Sequence, residues 1–300
     1  GFYNGNKFLL EQLNSIIYQS HKNIKIFIFD DNSPEEILDY KNKLKVDFSG
    51  LINITKRKEN LGYAKNFLLG LKEVGPDYDY YAFSDQDDIW EPEKIELALK
   101  EINKLSDSEP ILYCSRTAYY DKDCSYEKGS SRTFKKKPIF RNALIQNIAG
   151  GNTILMNRKS RDLIVRSLVC DEFISHDWWS YQLISAAGGK IIFSPYKSVR
   201  YRQHLSNIIG ENKSFSQRLS RLRQFLSGSF KKWNDINIDN LIKNKSLISK
   251  ENSLILSRFV NSRKSKSLPK RLFLYIRSGV YRQTISENII FIIGIILNKI

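Results

Sequence analysis

The apolar residues of this chain change period several times over its first two hundred positions, and that alternation restricts the fold more than any other feature. Phe8, Leu9, Leu13, Ile16 and Ile17 follow the spacing of an amphipathic helix, whereas the next run, IKIFIF (24–29), is short, continuous and rich in strand formers. A DDNSP turn, a helix near 34–44 and a strand at LINIT (51–55) are expected next. Gly62 precedes a second amphipathic helix with Ala64, Phe67, Leu68, Leu71 and Val74 on one side, and DYYAF (79–83) reads as the following strand. Pro92 suits the first turn of a helix carrying Ile95, Leu99, Ile102 and Leu105. Further strands are expected at ILYCSRTAYY (111–120), NTILMN (152–157) and KIIF (190–193), with a helix at WWSYQLISAA (178–187) closed by Gly188 and Gly189. The polar, basic stretch 121–140 has no period and reads as a long surface loop. Strands alternating with helices imply an α/β fold, with a mainly parallel sheet covered by helices on both faces.

Charge divides the chain in two. The 300 residues carry a net +16, but residues 211–300 hold 18 Lys and Arg against 5 Asp and Glu, which leaves +3 for the first 210. The expected organisation is an α/β domain over 1–210 followed by a basic helical region over 211–300, with pieces such as FSQRLSRLRQFL and SLILSRFV. Such a tail suits an anionic membrane surface or a homo-oligomer contact, and a solvated helical face is the simpler alternative. The longest aliphatic run, IIFIIGIIL (289–297), is far shorter than the roughly 20 residues that cross a bilayer, so it would lie on a membrane. Cys114, Cys124 and Cys170 lack the spacing of a zinc site or a disulfide framework and read as reduced thiols in a cytoplasmic protein.

The acidic residues gather at two strand ends. Asp30 and Asp31 follow IKIFIF, and SDQDDIW (84–90) puts Asp85, Asp87 and Asp88 directly after DYYAF. In an open sheet the carboxyl ends of strands are where ligands collect. Carboxylates this close repel one another, and Mg²⁺ or Mn²⁺ bridging to a phosphate-bearing ligand offsets that repulsion. Solvated turns or helix caps are the alternative, which two clusters at two strand ends disfavour.

The order YNG (3–5), FDDNS (29–33), ENLGYAKN (59–66), SDQDDIWEPEKI (84–95), AGGNTILMNR (149–158), HDWW (176–179) and YRQH (201–204) resembles glycosyltransferase family 2, in particular its rhamnosyltransferase-like branch. The resemblance covers residues 1 to about 210 and implies a GT-A fold, a Rossmann-like sheet with a nucleotide-sugar half and an acceptor half. Only Gly1 and Phe2 stand before the YNG turn, where the family has a short apolar strand, so the first strand reads as truncated. By the resemblance, Tyr3 and Asn4 flank the nucleotide, Asp31 with Asp30 beside it meets the base, and Lys65 and Asn66 lie near the nucleotide as well. Asp85, Gln86 and Asp87 occupy the metal-binding DxD, with Asp88 adjacent. The pattern leaves open which of Asp87 and Asp88 is the direct ligand; Asp87 is favoured, with Asp85 supporting it. Gly151 would let backbone approach the donor sugar.

HDWW stands where the family places its catalytic base, which assigns that role to Asp177 with His176 in place of an acid. Asp177 as an ordinary helix N-terminal residue is the alternative, and the two roles are compatible. Trp178 and Trp179, with His176, would contact the acceptor; core burial is the commoner fate of such residues. His204 would complete the metal or diphosphate site, and Arg202 would pair with the diphosphate.

The expected function is an inverting, metal-dependent glycosyltransferase moving one sugar from dTDP-rhamnose or a UDP-sugar to a cell-surface polysaccharide or its lipid-linked precursor, at the inner face of the plasma membrane. A sugar-nucleotide nucleotidyltransferase is a second reading, but YNGNKF is a poor version of its Gly-rich basic loop. A nucleic-acid-binding protein is a third; the cations lie away from the motifs, so no nucleic-acid partner is expected.

Overall fold

In the computed structural model, residues 1–37, 50–203 and 228–300 are described. Most of the helix expected near 34–44, the segment FSQRLSRLRQFL and His204 lie outside those residues.

The chain opens with Phe2, which bridges Asp30 in parallel, and continues into helix α1 (Asn6–Ile17), where Leu9, Leu13 and Ile16 are buried at helical spacing. Strands β1 (Ile26–Asp30) and β2 (Ile52–Lys56) pair in parallel, Ile26 opposite Ile52 and Asp30 opposite Lys56. Helix α2 (Tyr63–Glu73) buries Ala64, Phe67, Leu68 and Leu71. Its Gly70 lies so close to β1 that a Cβ there would sit 2.5 Å from the Phe29 ring. Strands β3 (Tyr80–Ala82) and β4 (Ile89–Trp90) bracket the acidic loop, and helix α3 (Lys94–Ile102) follows.

The long central strands are β5 (Ile111–Tyr120) and β8 (Lys190–Arg202), which run parallel from Ile111 opposite Lys190 to Tyr120 opposite Arg202. Their register shifts between the pairs Cys114/Phe193 and Arg116/Lys197, and Pro195 falls within that irregularity, where its missing N–H costs the ladder nothing. Strands β6 (Glu127–Ser130) and β7 (Leu155–Asn157) complete a sheet of order β3-β7-β5-β8-β4, with β6 beside the end of β5. Helices α4 (Phe140–Ala143), α5 (Arg158–Arg166) and α6 (His176–Ala186) fill the connections.

The GT-A-type α/β expectation holds, with two refinements. The sheet is mixed: β1/β2 and β5/β8 are parallel, while β3, β4, β6 and β7 join antiparallel. Apolar period carries no information on strand direction, because a buried strand reads alike either way. The expected loop 121–140 contains β6, whose sequence EKGS has no apolar signal; the Arg116 guanidinium holds its end by donating to Ser131 O (2.9 and 2.7 Å).

Beyond the sheet come α7 (Ser229–Lys243), α8 (Lys250–Lys264), α9 (Leu268–Ser278) and α10 (Ile285–Ile296). One apolar cluster joins Phe67, Met156, Trp179 and Tyr181 of the α/β half to Ile238, Phe259 and Phe291 of these helices. Buried amides add to it: Asn234 donates to Leu144 O (2.7 Å) and Asn240 to Glu172 O (2.8 Å). A second cluster holds Phe2, Leu13, Ile28, Trp90, Ile102 and Tyr113. The three cysteines are free thiols. Among the described residues no helix is long and apolar enough to cross a membrane.

Candidate active site

Four loops meet at the carboxyl ends of β1 and β3, and hydrogen bonds fix their order. Asp31, buried, accepts from the backbone N–H groups of Leu61 (2.8 Å) and Gly62 (2.9 Å), which pins the loop entering α2. Gly62 has φ +79°, a conformation that favours glycine. Asp30, also buried, accepts from Ser33 N (2.9 Å) and Ser33 Oγ (2.5 Å), and Ser33 Oγ in turn accepts from Asn4 N (2.9 Å). Both carboxylates therefore hold backbone, and the surface left for a ligand is the exposed Tyr3 and Asn4 with half-buried Lys65. Asn66 is buried, donating to Phe29 O (2.8 Å) and accepting from Arg57 Nε (3.0 Å); it supports β1.

The acidic loop after β3 divides into distinct tasks. Gln86 accepts from Tyr3 N (2.7 Å) and donates to Tyr3 O (2.9 Å), so its amide clamps the first loop. A Cβ on Gly5 would overlap that amide, which is why glycine stands there. Asp88 is fully buried: Asn152 Nδ2 donates to Oδ2 and Arg202 N to Oδ1 (3.3 Å). Asp85 and Asp87 are half-buried. Burial pushes the Asp85 carboxyl up to about 7, and the charges of Asp87 and Asp177 add to that rise. A divalent cation fits this pair, two hard oxygen donors separated by one residue whose mutual repulsion it would relieve. Asp88 does not fit, because its oxygens are already directed to Asn152 and Arg202. Among the described residues no three His, Cys, Asp or Glu side chains are grouped so as to hold a metal ion.

Arg202 is not available to a diphosphate, contrary to expectation. Its side chain is 2 % exposed, and its guanidinium donates to Asp87 O (3.0 Å), Lys122 O (2.7 Å) and the Glu11 carboxylate. A buried cation must find such partners, and these hold the acidic loop against β8.

The start of α6 supplies the opposing wall. Ser175 caps the helix by accepting from Trp178 N (3.4 Å), and half-buried Asp177 accepts from the same N–H (2.6 Å). His176 stacks on Phe67 (centroids 4.1 Å) and meets Phe83 edge-on (4.7 Å), with neither ring nitrogen hydrogen-bonded. A Cβ on Gly151 would lie 2.5 Å from His176 Nε2, so Gly151 is needed for this contact. Trp178 and Trp179 are core residues: their indole N–H groups donate to Ala143 O (2.7 Å) and Ser167 Oγ (2.9 Å), and Trp179 is 0 % exposed. That corrects their expected contact with an acceptor. Tyr63, which the sequence reading did not select, belongs to the cluster. Burial and the nearby charges of Asp177 and Asp85 push its phenol up to about 12. Its position in ENLGYAKN, directly after the φ-positive glycine, was the available signal.

Burial lowers the His176 imidazole to about 4, against the opposing pull of Asp177. The unfolded chain therefore binds the proton more readily, so this residue's contribution to stability is present above pH 6.5 and is lost as pH falls through the window to about 4. Asp85 acts oppositely in part of that window, since its raised value favours the folded form at low pH. His176→Phe, which preserves the ring stack, is expected to be relatively more stable than wild type at pH 4.5 than at pH 7.5, by on the order of 2 kcal/mol. Paired urea titrations at the two pH values check this; parallel losses in both proteins would show that His176 does not titrate as described.

Comparison with known proteins gives the family and the fold. The model of glycosyl transferase family 2 matches residues 2–163. The chain is similar to a dTDP-rhamnosyl transferase, RfbG, of Shigella flexneri, 28 % identical over 99 % of this chain and 98 % of that protein. An uncharacterised glycosyltransferase of Rickettsia typhi is 28 % identical over 51 % of this chain and 47 % of its own length. Among solved structures, S. aureus TarS 1-349 in complex with UDP superposes with a TM-score of 0.53 at 15 % identity, over 93 % of this chain and 90 % of that one. That last likeness concerns the fold alone.

Proposed function

The chain belongs to glycosyl transferase family 2, and from that premise we propose that it transfers one sugar, with inversion, from a nucleotide-sugar donor to a hydroxyl of a cell-surface polysaccharide or lipid-linked precursor at the cytoplasmic face of a membrane. The observation that carries the reading is the meeting of two half-buried carboxylates from distant segments, Asp85 after β3 and Asp177 at the start of α6, close enough for one charge to shift the other. One serves the donor and the other the acceptor. dTDP-rhamnose is the preferred donor, because the Shigella flexneri relative is similar over its whole length; a UDP-sugar is second, because a structural neighbour binds UDP-GlcNAc.

In this reading a carboxylate oxygen of Asp177 takes the proton of the acceptor hydroxyl as that oxygen attacks the anomeric carbon. The new C–O bond forms as the bond from the anomeric carbon to the diphosphate breaks, and the nucleoside diphosphate leaves from the opposite face. Mg²⁺ or Mn²⁺, held by Asp87 with Asp85 in support, would stabilise charge on the departing diphosphate. Tyr3 and Asn4, fixed by Gln86 and Ser33, border the nucleotide with Lys65 beside them. Gln86, Asp30, Asp31 and Asn66 act as positioning residues for those loops.

Thermal unfolding with dTDP-rhamnose, UDP-GlcNAc and GDP-mannose, each with Mg²⁺, tests the donor. At about 100 times its dissociation constant the right donor stabilises by roughly 2.7 kcal/mol. dTDP-rhamnose is expected to give the largest shift, and the shift is expected to fall when EDTA replaces the metal. No shift from any nucleotide sugar would remove the donor assignment.

A further inference from the structure

From Ile289 to Ile296 helix α10, ISENIIFIIGII, carries no polar side chain, yet only Phe291, Gly294 and Ile295 are buried. Ile289 and Ile293 keep 54 % and 47 % of their surface exposed. Helix α9 lies beside it in the opposite direction: the Arg271 guanidinium donates to Ile295 O (3.0 Å), and the Tyr275 ring stacks near Phe291 (5.9 Å). Helix α9 adds Phe273 and Ile276, 60 % and 72 % exposed. Apolar residues scattered singly over a surface need no explanation, but a concentration on two adjoining helices does.

Charge identifies what such a surface suits. From Lys264 to residue 300 the chain holds seven Lys and Arg and one carboxylate, Glu287. That carboxylate is paired with Arg132 (3.0 Å) and closes the α10 N-terminus in a capping box with Thr284. Lys264, Lys266, Lys270 and Arg277 are exposed, and the Arg277 guanidinium lies 5.8 Å from the Phe273 ring centre. We propose that the α9–α10 hairpin docks on an anionic lipid bilayer, its isoleucines and Phe273 entering the interface while these cations face the headgroups. At 12 residues, α10 is about 18 Å long and would lie in the plane of the interface. A second copy of the chain would also cover the apolar side, but a two-fold contact would set the same cationic segment against itself. The surface uses no residue of the acidic site.

Flotation of the full chain with vesicles of phosphatidylcholine, alone or with a minority of phosphatidylglycerol, tests the proposal. No nucleotide is present, so a wrong donor assignment does not affect the outcome. Wild type is expected to float with the anionic vesicles and poorly with the neutral ones. The double variant Ile289→Ser/Ile293→Ser and the triple variant Lys266→Gln/Lys270→Gln/Arg277→Gln are each expected to lose about tenfold or more in partitioning. All the altered side chains are exposed, and unchanged unfolding midpoints would show that the folds are retained. Failure of wild type to float with anionic vesicles overturns the proposal, as does flotation that neither variant weakens. A dimer in buffer that the isoleucine variant dissociates, with no vesicle binding, would assign the face to a second copy instead.

Discussion

Asp177→Asn is expected to lower kcat by about 10²- to 10⁴-fold, the range that a general base contributes. The substitution is nearly isosteric, and an amide oxygen can still accept from Trp178 N, so the start of α6 should keep its geometry. Only the lone pair that takes the acceptor proton is lost. The nucleotide-sugar thermal shift should therefore persist in this variant, and the comparison with Asp85→Asn makes the test specific. Loss at Asp85 is expected to weaken donor binding first, because in the proposed mechanism that carboxylate and Asp87 would face the diphosphate and its metal. Single-turnover transfer in Asp177→Asn at rates near wild type would exclude this residue as the base, whatever the donor.

The parts of this arrangement that were legible in the sequence are those where one side chain pattern has one physical outcome. Ala64, Phe67, Leu68 and Leu71 can share a face only in a helix, and they line the buried side of α2. The strand ILYCSRTAYY runs over the expected residues, Ile111–Tyr120, because a continuous β-rich run between turn signals has few alternatives. Where a residue type has two outcomes, the sequence left the choice open. Trp178 and Trp179 had the chemistry to stack on a sugar or to fill a core, and the partners that put them in the core, Ala143 O and Ser167 Oγ, come from other segments. Strand direction was hidden for the same reason, and β6 because Arg116, not an apolar face, holds its end. The acidic loop is an intermediate case. Its place after β3 could be read from DYYAF, but the full burial of Asp88 beside half-buried Asp85 and Asp87 depends on partners from distant segments, the Asn152 amide and the Arg202 backbone N–H.

Arg202→Met is expected to cost on the order of 3 kcal/mol in folding stability and to impair donor binding as well. Methionine has the length to fill the volume, so the loss is polar. Two carbonyl oxygens, Asp87 O and Lys122 O, forfeit charge-assisted hydrogen bonds worth about 1.5–3 kcal/mol each, while the ion pair with half-exposed Glu11 adds little. The functional consequence follows from the partner's position: Asp87 is the proposed metal ligand, and its backbone carbonyl is held by Arg202 Nε, while the Arg202 backbone N–H, which methionine keeps, holds Asp88. A side chain that anchors the main chain of Asp87 bears on where its carboxylate points. Thermal unfolding without ligand measures the first effect, and a rise in donor KM at a temperature where the variant is fully folded measures the second. A purely structural Arg202 would lower the unfolding midpoint and leave that KM unchanged; a variant that unfolds with wild type would remove the clamp altogether.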